Sequence, residues 1–204
     1  TQYGAMVEFL RSKRPRFLIN AAGYTGKPNV DACETARADA LLGNTLFPMT
    51  VSHACEAAGV PWGHVSSGCI YSGAIVDEGN GRRVEPDLTT AEMQRLVATN
   101  PETVFGFSET DEPNFSFRRP PCSFYSGTKA LGEEALAADQ QVYLWRLRIP
   151  FNHVDSSRNY LSKLQRYTKV YDNVNSISHL DDFVRACVDL WTMRAPFGTY
   201  NVTN

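Results

Sequence analysis

The sequence predicts an α/β fold organised as a doubly wound parallel sheet, and two observations predict it. Short apolar runs of strand length alternate with amphipathic helical stretches along the chain, and those runs finish in small or polar residues. Alternation of this kind implies parallel strands joined by right-handed crossovers. Ligands of such sheets bind beyond the carboxyl ends of the strands, so Asn20 to Gly23, Ser66 to Cys69 and Pro150 to Asn152 are expected to line one crevice.

In chain order, Gln2 to Lys13 places Tyr3, Met6, Val7 and Leu10 at helical spacing, and Pro15 closes that helix. Arg16 to Asn20 reads as a buried strand that opens into the small-residue turn Ala21-Ala22-Gly23, where something can approach the backbone. Turn formers fill 24 to 31, with Asp31 a candidate cap for the next segment. Asp39 to Ala58 is a long helical pattern interrupted at Pro48 and ended by Gly59. Gly63 to Tyr71 reads as a second strand that turns polar at its far end. Residues 72–122 are rich in Gly and Pro and read as a long irregular insertion carrying one short helix near Thr90 to Ala98. A helix comes after Ser123, and Gln141 to Ile149 alternates like a strand until Pro150. Arg158 to Tyr167 is helical in pattern, Ser178 and Asp181 resemble a capping box before another helix that closes at Pro196, and the chain finishes in a strand at Tyr200 to Thr203.

With 204 residues, 43% hydrophobic and 21% charged, the chain reads as one soluble unit with a sizeable core. A net charge of -2 with scattered Lys and Arg gives no footprint for nucleic acid. No apolar run approaches the roughly 20 residues that span a bilayer, so no membrane association is expected. Cys33, Cys55, Cys69, Cys122 and Cys187 are odd in number and form no C-x-x-C pair, which favours a reducing cytoplasm over a disulfide framework or a zinc site. His53, His64, His153 and His179 lack metal-ligand spacing, and no metal is expected.

Tyr125 and Lys129 stand four residues apart on the predicted helix and so share a face. An ammonium beside a phenol favours the phenolate. A tyrosine drawn down from about 10 can exchange a proton near neutral pH, as carbonyl reduction or alcohol oxidation requires.

Asn20-Ala-Ala-Gly23, Ser67 four residues before an aromatic, and Tyr125-x-x-x-Lys129 together resemble the extended branch of the short-chain dehydrogenase/reductases, with its Rossmann-like fold. Within that branch, Gly26-Lys-Pro-Asn-Val-Asp-Ala-Cys-Glu34, Ser67-Gly-Cys-Ile-Tyr71, Ser123-Phe-Tyr-Ser-Gly-Thr-Lys-Ala130 and Arg158-Asn-Tyr-Leu-Ser-Lys163 are similar to the nucleotide-rhamnose synthases, with GDP-fucose synthase a relative. Those enzymes are 3,5-epimerase/4-reductases of a nucleotide-linked 4-keto-6-deoxyglucose.

The resemblance implies NADP or NAD as cofactor, a sugar nucleotide as substrate and a homodimer paired through helices beginning near Asp39 and Tyr125. It also implies roles. Ser67 holds the ketone oxygen, Tyr125 protonates it and Lys129 lowers the tyrosine's pKa while holding the cofactor ribose. Cys69 and Lys163 supply base and acid for epimerisation. Ala21, Ala22, Gly23 and Pro150 lie on the cofactor side, and Asn29, Arg158 and Asn159 contact sugar or diphosphate, with 151–180 on the substrate side. Asn44 falls where the superfamily has an asparagine that props the lysine, or else bonds nearby backbone. Gly68 and Cys69 stand where related 4,6-dehydratases carry Asp-Glu, which argues against dehydration. A G-x-x-G-x-x-G strand-turn-helix and a C-terminal substrate lobe belong to the family pattern and are not among these residues, so 1–204 is expected to be an incomplete Rossmann-like domain. A 4-keto reductase without epimerase activity and a non-catalytic binding module are the alternatives.

Overall fold

The structure, a computed structural model, describes residues 2–170 and 174–204, so positions 171–173 of the 151–180 segment lie outside the described residues. Helix α1 (Gln2–Lys13) leads through Arg14, at φ 48°, into β1 (Leu18–Asn20). A 3-10 turn (Val30–Glu34) precedes α2 (Arg37–Leu41), a π turn (Leu42–Leu46) and α3 (Phe47–Ala58), which ends on Gly59 in the left-handed conformation at φ 65°. The expected break at Pro48 takes the form of that π turn. Its widened backbone comes immediately before the proline, which sits in the first turn of α3 where no N–H is needed. The cap of the 3-10 turn is Asn29, whose side chain accepts from the Asp31 amide, and not Asp31.

Strand β2 (Trp62–Ser67) stops at Ser67, and Gly68–Ile70 coil into a 3-10 turn that the sequence pattern continues as strand. The segment expected to be irregular contains β3 (Ala74–Asp77), β4 (Arg82–Glu85), α4 (Ala91–Thr99, capped by Thr90) and β5 (Val104–Phe105). Its strands form an antiparallel sheet in the order β4-β3-β5. Gly73, at φ 79°, passes so close to the Glu85 carbonyl that no Cβ fits.

Next come α5 (Phe124–Leu136, capped by Ser123), β6 (Val142–Leu147), β7 (Pro150–Phe151), α6 (Tyr160–Leu164), β8 (Ser178–His179), α7 (Leu180–Thr192) and β9 (Gly198–Asn201). The helix expected from Arg158 to Tyr167 is shorter at both ends. Ser178 does not cap α7: its hydroxyl donates to the Val202 carbonyl and accepts from the Arg148 amide, stitching β8 between two other segments.

The main sheet is parallel throughout, in the order β1-β2-β6-β9. Side chains alternate across it. Trp62, Val142 and Leu144 face α1, α3 and α5 over a core completed by Leu10, Val51, Ala54 and Leu136. Tyr143 and Trp145 face α7 with Phe183, Cys187 and Trp191. Gly63 leaves room for the Trp145 ring, because a Cβ there would stand 2.1 Å from it. Since the strand order advances in one direction while α7 lies opposite α3 and α5, the β6 to β9 crossover has the opposite hand to the other two. That corrects the expectation of one right hand throughout. The connection leaves β6 and pairs β7 with β8 before α7 begins, so the direct strand-to-helix feed that sets the usual hand is absent.

Candidate active site

At the carboxyl end of β2, Ser67 is the last strand residue and caps the 3-10 turn, its hydroxyl accepting from the Cys69 amide at 3.3 Å. That turn swings the Cys69 Sγ to 2.8 Å from Ser67 Oγ. From the first turn of α5, the Tyr125 phenol comes close enough to Ser67 and Cys69 for both to bear on its ionisation. A hydroxyl, a thiol and a phenol thus meet from two elements that the whole small antiparallel sheet separates along the chain.

Burial dominates the electrostatics. It pushes the Tyr125 phenol well above its ordinary range, and the neighbouring Cys69 adds to that, while Ser67 works the other way. The Cys69 thiol is also pushed up by burial, against the opposing pull of Ser67, Arg148, Lys129 and Ser126. Lys129, 5% exposed, is pushed down because burial penalises its charge, and Cys69 and Glu133 oppose this. The expected lowering of Tyr125 by Lys129 is therefore not found: burial is the largest influence on each group, raising the phenol and lowering the ammonium.

Lys129 is placed by the turn after β1. Its Nζ donates to the Val65 carbonyl at 3.4 Å, and a Cβ on Gly23 would come within 3.3 Å of that Nζ and of Asn44 Oδ1. Asn44, in the π turn, accepts from the Tyr24 amide, donates to the Tyr24 carbonyl and donates to Thr128 Oγ1 on α5. Asn20 donates to His64 Nδ1 at 3.1 Å and accepts from the Ala22 amide. Burial, with the Lys129 charge second, lowers His64 to about 3, so the ring is neutral.

A second polar group lies behind the first. Glu133 on α5 takes bonds from Arg146 Nε and Nη2, the latter at 2.8 Å, and from the Ser66 hydroxyl. Arg146 Nη1 donates to the Tyr71 hydroxyl at 2.9 Å, which donates to the Asp111 carbonyl at 2.7 Å. Stacking of Tyr71 on Phe107, with ring centroids 4.7 Å apart, and the paired bonds of Asn114 with Ser72 hold the 107–116 segment against the end of the sheet.

Between that segment and the sheet runs a cleft of about 550 Å³. Gly68, Cys69 and Arg148 line it on the sheet side, Leu88, Val97, Phe105 and Phe107 on the side of the small antiparallel sheet, and Asn175 and Asn201 elsewhere along it. Among the described residues no group of His, Cys, Asp or Glu is placed to hold a metal, and no helix is long and apolar enough to cross a membrane.

The structure brings Ser67, Cys69, Tyr125 and Lys129 together, with Ala21, Ala22 and Gly23 at the neighbouring strand end and Pro150 beyond β6. It does not bring the rest. Asn29 is exposed, and both ends of its amide are spent on Asp31. Asn159 is 7% exposed and caps α6, donating to the Asn152 and Val154 carbonyls, so it has no amide left for a ligand. Arg158 is exposed, Lys163 is half-buried on α6, and neither lines the cleft. The 151–180 segment reaches the cleft instead through Val174, Asn175 and Ser176. Sequence reasoning missed Glu133, Arg146 and Arg148. Two arginines inside the otherwise apolar Val142 to Ile149 run were the available signal, since a charge in a sheet interior needs a partner or a purpose.

Residues 1–183 match the family model described as the RmlD substrate binding domain. The chain is 31% identical over 204 residues to a bifunctional dTDP-4-dehydrorhamnose 3,5-epimerase/dTDP-4-dehydrorhamnose reductase of Arabidopsis thaliana, covering 98% of this chain and 58% of that protein. Its fold is similar to the crystal structure of the L780 UDP-rhamnose synthase from Acanthamoeba polyphaga mimivirus, at TM-score 0.76 and 22% identity over 99% of this chain and 62% of that one. It is also similar to a dTDP-4-dehydrorhamnose reductase from Bacillus anthracis solved with NADP, at TM-score 0.64 and 16% identity over 99% of this chain and 60% of that one. The chain therefore spans less than two thirds of these relatives, and over that span it belongs to the RmlD substrate-binding-domain family, on the parallel-sheet fold of the extended short-chain dehydrogenase/reductases.

Proposed function

We propose that this chain carries the reacting groups of an NAD(P)H-dependent 3,5-epimerase/4-reductase acting on a nucleotide-linked 4-keto-6-deoxyhexose, in deoxysugar synthesis of the rhamnose type. The convergence of Ser67, Cys69 and Tyr125 on one point at the mouth of the sheet is the observation that carries this reading. Family membership and the sugar-nucleotide chemistry in the relatives' names support it.

The residues present fit the nicotinamide ribose end of a dinucleotide: Lys129 on α5 brings its Nζ beside Gly23 in the exposed small-residue turn Ala21 to Gly23, and Tyr125 stands one helical turn before it on the same helix. NADPH or NADH, when bound, supplies the hydride. Ser67 donates to the C4 carbonyl oxygen and holds it near Tyr125. A buried phenol with a raised pKa keeps its proton until an oxyanion develops beside it, and then gives that proton up. Lys129 fixes the turn and stands ready to hold ribose hydroxyls.

For epimerisation, the same two donors stabilise an enolate at C4, which makes the protons at C3 and C5 removable. Cys69, facing the cleft, removes one as a thiolate and becomes a thiol. Lys163 is retained as the acid for the opposite face on the family resemblance.

Incubation with the keto sugar and NADPH in heavy water, read by mass spectrometry and proton NMR, tests the reading. Deuterium is expected at C3 and C5 of the product. Cys69→Ala is expected to abolish exchange while leaving reduction of an already epimerised ketone within a few-fold. Product without deuterium leaves a 4-reductase alone, and failure to bind NADPH leaves a binding module.

A further inference from the structure

Arg148 comes directly after the last residue of β6, and the proposed reaction makes no use of it. Its stem packs over the 3-10 turn that carries Cys69: Cδ, Cβ and Cγ lie 3.5, 3.6 and 3.9 Å from where a Cβ on Gly68 would stand. Both ends of the residue are fixed by one neighbouring segment. The backbone amide donates to Ser178 Oγ at 3.0 Å, and Nη2 donates to Asn175 Oδ1 at 3.2 Å.

Arg146, two residues earlier, is neutralised by Glu133. Among the described residues no carboxylate pairs with Arg148, although it lines the same cleft as Cys69. A guanidinium stays charged at every working pH, and among the described residues the side-chain partner of this one is the neutral Asn175 amide.

We propose that Arg148 is a positioning residue for Cys69, supplying the fixed positive charge against which that side chain becomes a thiolate. The proposal rests on the reading of Cys69 as the epimerisation base. The groups that bear on the thiol are Ser67 beside it, Ser126, Tyr125 and Lys129 from α5, Cys33 from the 3-10 turn after β1, and Arg148 from beyond β6. Two are cations. Lys129 is the less dependable, because its burial works against its own charge and it is committed to Val65 and the turn after β1. Arg148 lowers the thiol's pKa against the upward push of burial.

In the step itself, the thiolate sulfur forms a bond to the proton on C3 or C5. The C–H electron pair moves to form the enolate with its charge on the C4 oxygen. When the enolate collapses, Lys163, as the proposed acid, gives a proton to carbon from the opposite face, and the resulting thiol and neutral amine regain their starting states by proton exchange with solvent. The guanidinium forms no bond and sets how much thiolate is present.

The test needs neither substrate nor cofactor, so it can fail independently of the epimerase reading. The rate of iodoacetamide alkylation of Cys69 is followed against pH by mass spectrometry of the Cys69 peptide, alongside circular dichroism and the urea midpoint. Arg148→Gln is expected to move the alkylation midpoint up by about one pH unit and slow the reaction near neutral pH by about tenfold, whereas Arg148→Lys is expected to recover most of that loss. Asn175→Ala, which frees the guanidinium without removing it, is expected to give a smaller shift in the same direction and serves if Arg148→Gln does not fold. An unchanged midpoint in Arg148→Gln or, failing that variant, in Asn175→Ala overturns the proposal. Equal shifts in the Gln and Lys variants also overturn it, since loss of shape rather than charge is then responsible. An unchanged midpoint with a raised KM for the sugar nucleotide makes Arg148 a substrate contact instead.

Discussion

Ser66 and Ser67 are neighbours on β2, and Arg146 and Arg148 are separated by one residue at the end of β6, yet the members of each pair end in opposite circumstances. Ser66 and Arg146 lie on the face covered by α5, where Glu133 accepts from both and Tyr71 takes the remaining arginine nitrogen. Ser67 and Arg148 lie where the strands have run out. There Ser67 meets the Cys69 amide and thiol, and among the described residues the side-chain partner of Arg148 is the neutral Asn175 amide, which leaves its charge unbalanced. Residue type therefore does not separate a fastener from a reagent in this fold. Completeness of the partner set does, and one step along a strand is enough to change it.

Removing a group from the open set is expected to cost activity and not stability. Tyr125→Phe is expected to lower ketone reduction by about 10²- to 10⁴-fold while the urea midpoint stays in place. A variant that keeps a tenth of the rate would remove the phenol from its assigned role. In the closed set the expectation reverses. Glu133→Ala leaves the Arg146 guanidinium, 6% exposed, without its counter-charge, and is expected to cost about 3 to 5 kcal/mol in urea unfolding. If that variant melts like the parent, the pair is not holding α5 to the sheet.

A third expectation concerns pH. His64 is neutral when folded because burial and then Lys129 lower it from 6.5 to about 3. Between those values the unfolded chain binds the extra proton. Stability is therefore fully present above 6.5 and is lost as pH falls toward 3, at up to about 1.4 kcal/mol per pH unit. Urea midpoints measured from about pH 7 down to about pH 4 check this, and His64→Gln is expected to flatten the curve. Parallel curves for the two proteins would place the acid sensitivity elsewhere.

Where the sequence was legible, a single period governed a whole element. The α1 pattern matches its observed bounds, and β6 alternates between two cores as its residues do. The tyrosine, serine and cysteine were legible because each falls at a strand end or a helix start. Between 72 and 122 the reading failed for a physical reason: β4 is Arg82-Arg83-Val84-Glu85 and mostly exposed, so no buried face imposes a pattern. The asparagines pose a different difficulty. A side chain that caps a helix and one that meets a ligand are the same amide in the sequence, and only the geometry shows that Asn29 and Asn159 are already satisfied. Lys163 matched a family motif, but α6 does not carry it to the wall of the cleft.

Asn44 binds the Tyr24 backbone 20 residues away and Thr128 84 residues away through one buried amide. The turn beside Lys129 therefore cannot take its final shape by local chain preference and must wait for a helix made much later in the sequence. During synthesis this corner is expected to stay unordered until α5 has been made, and protection of the Tyr24 amide in hydrogen exchange is expected to report the arrival of α5 rather than the completion of β1.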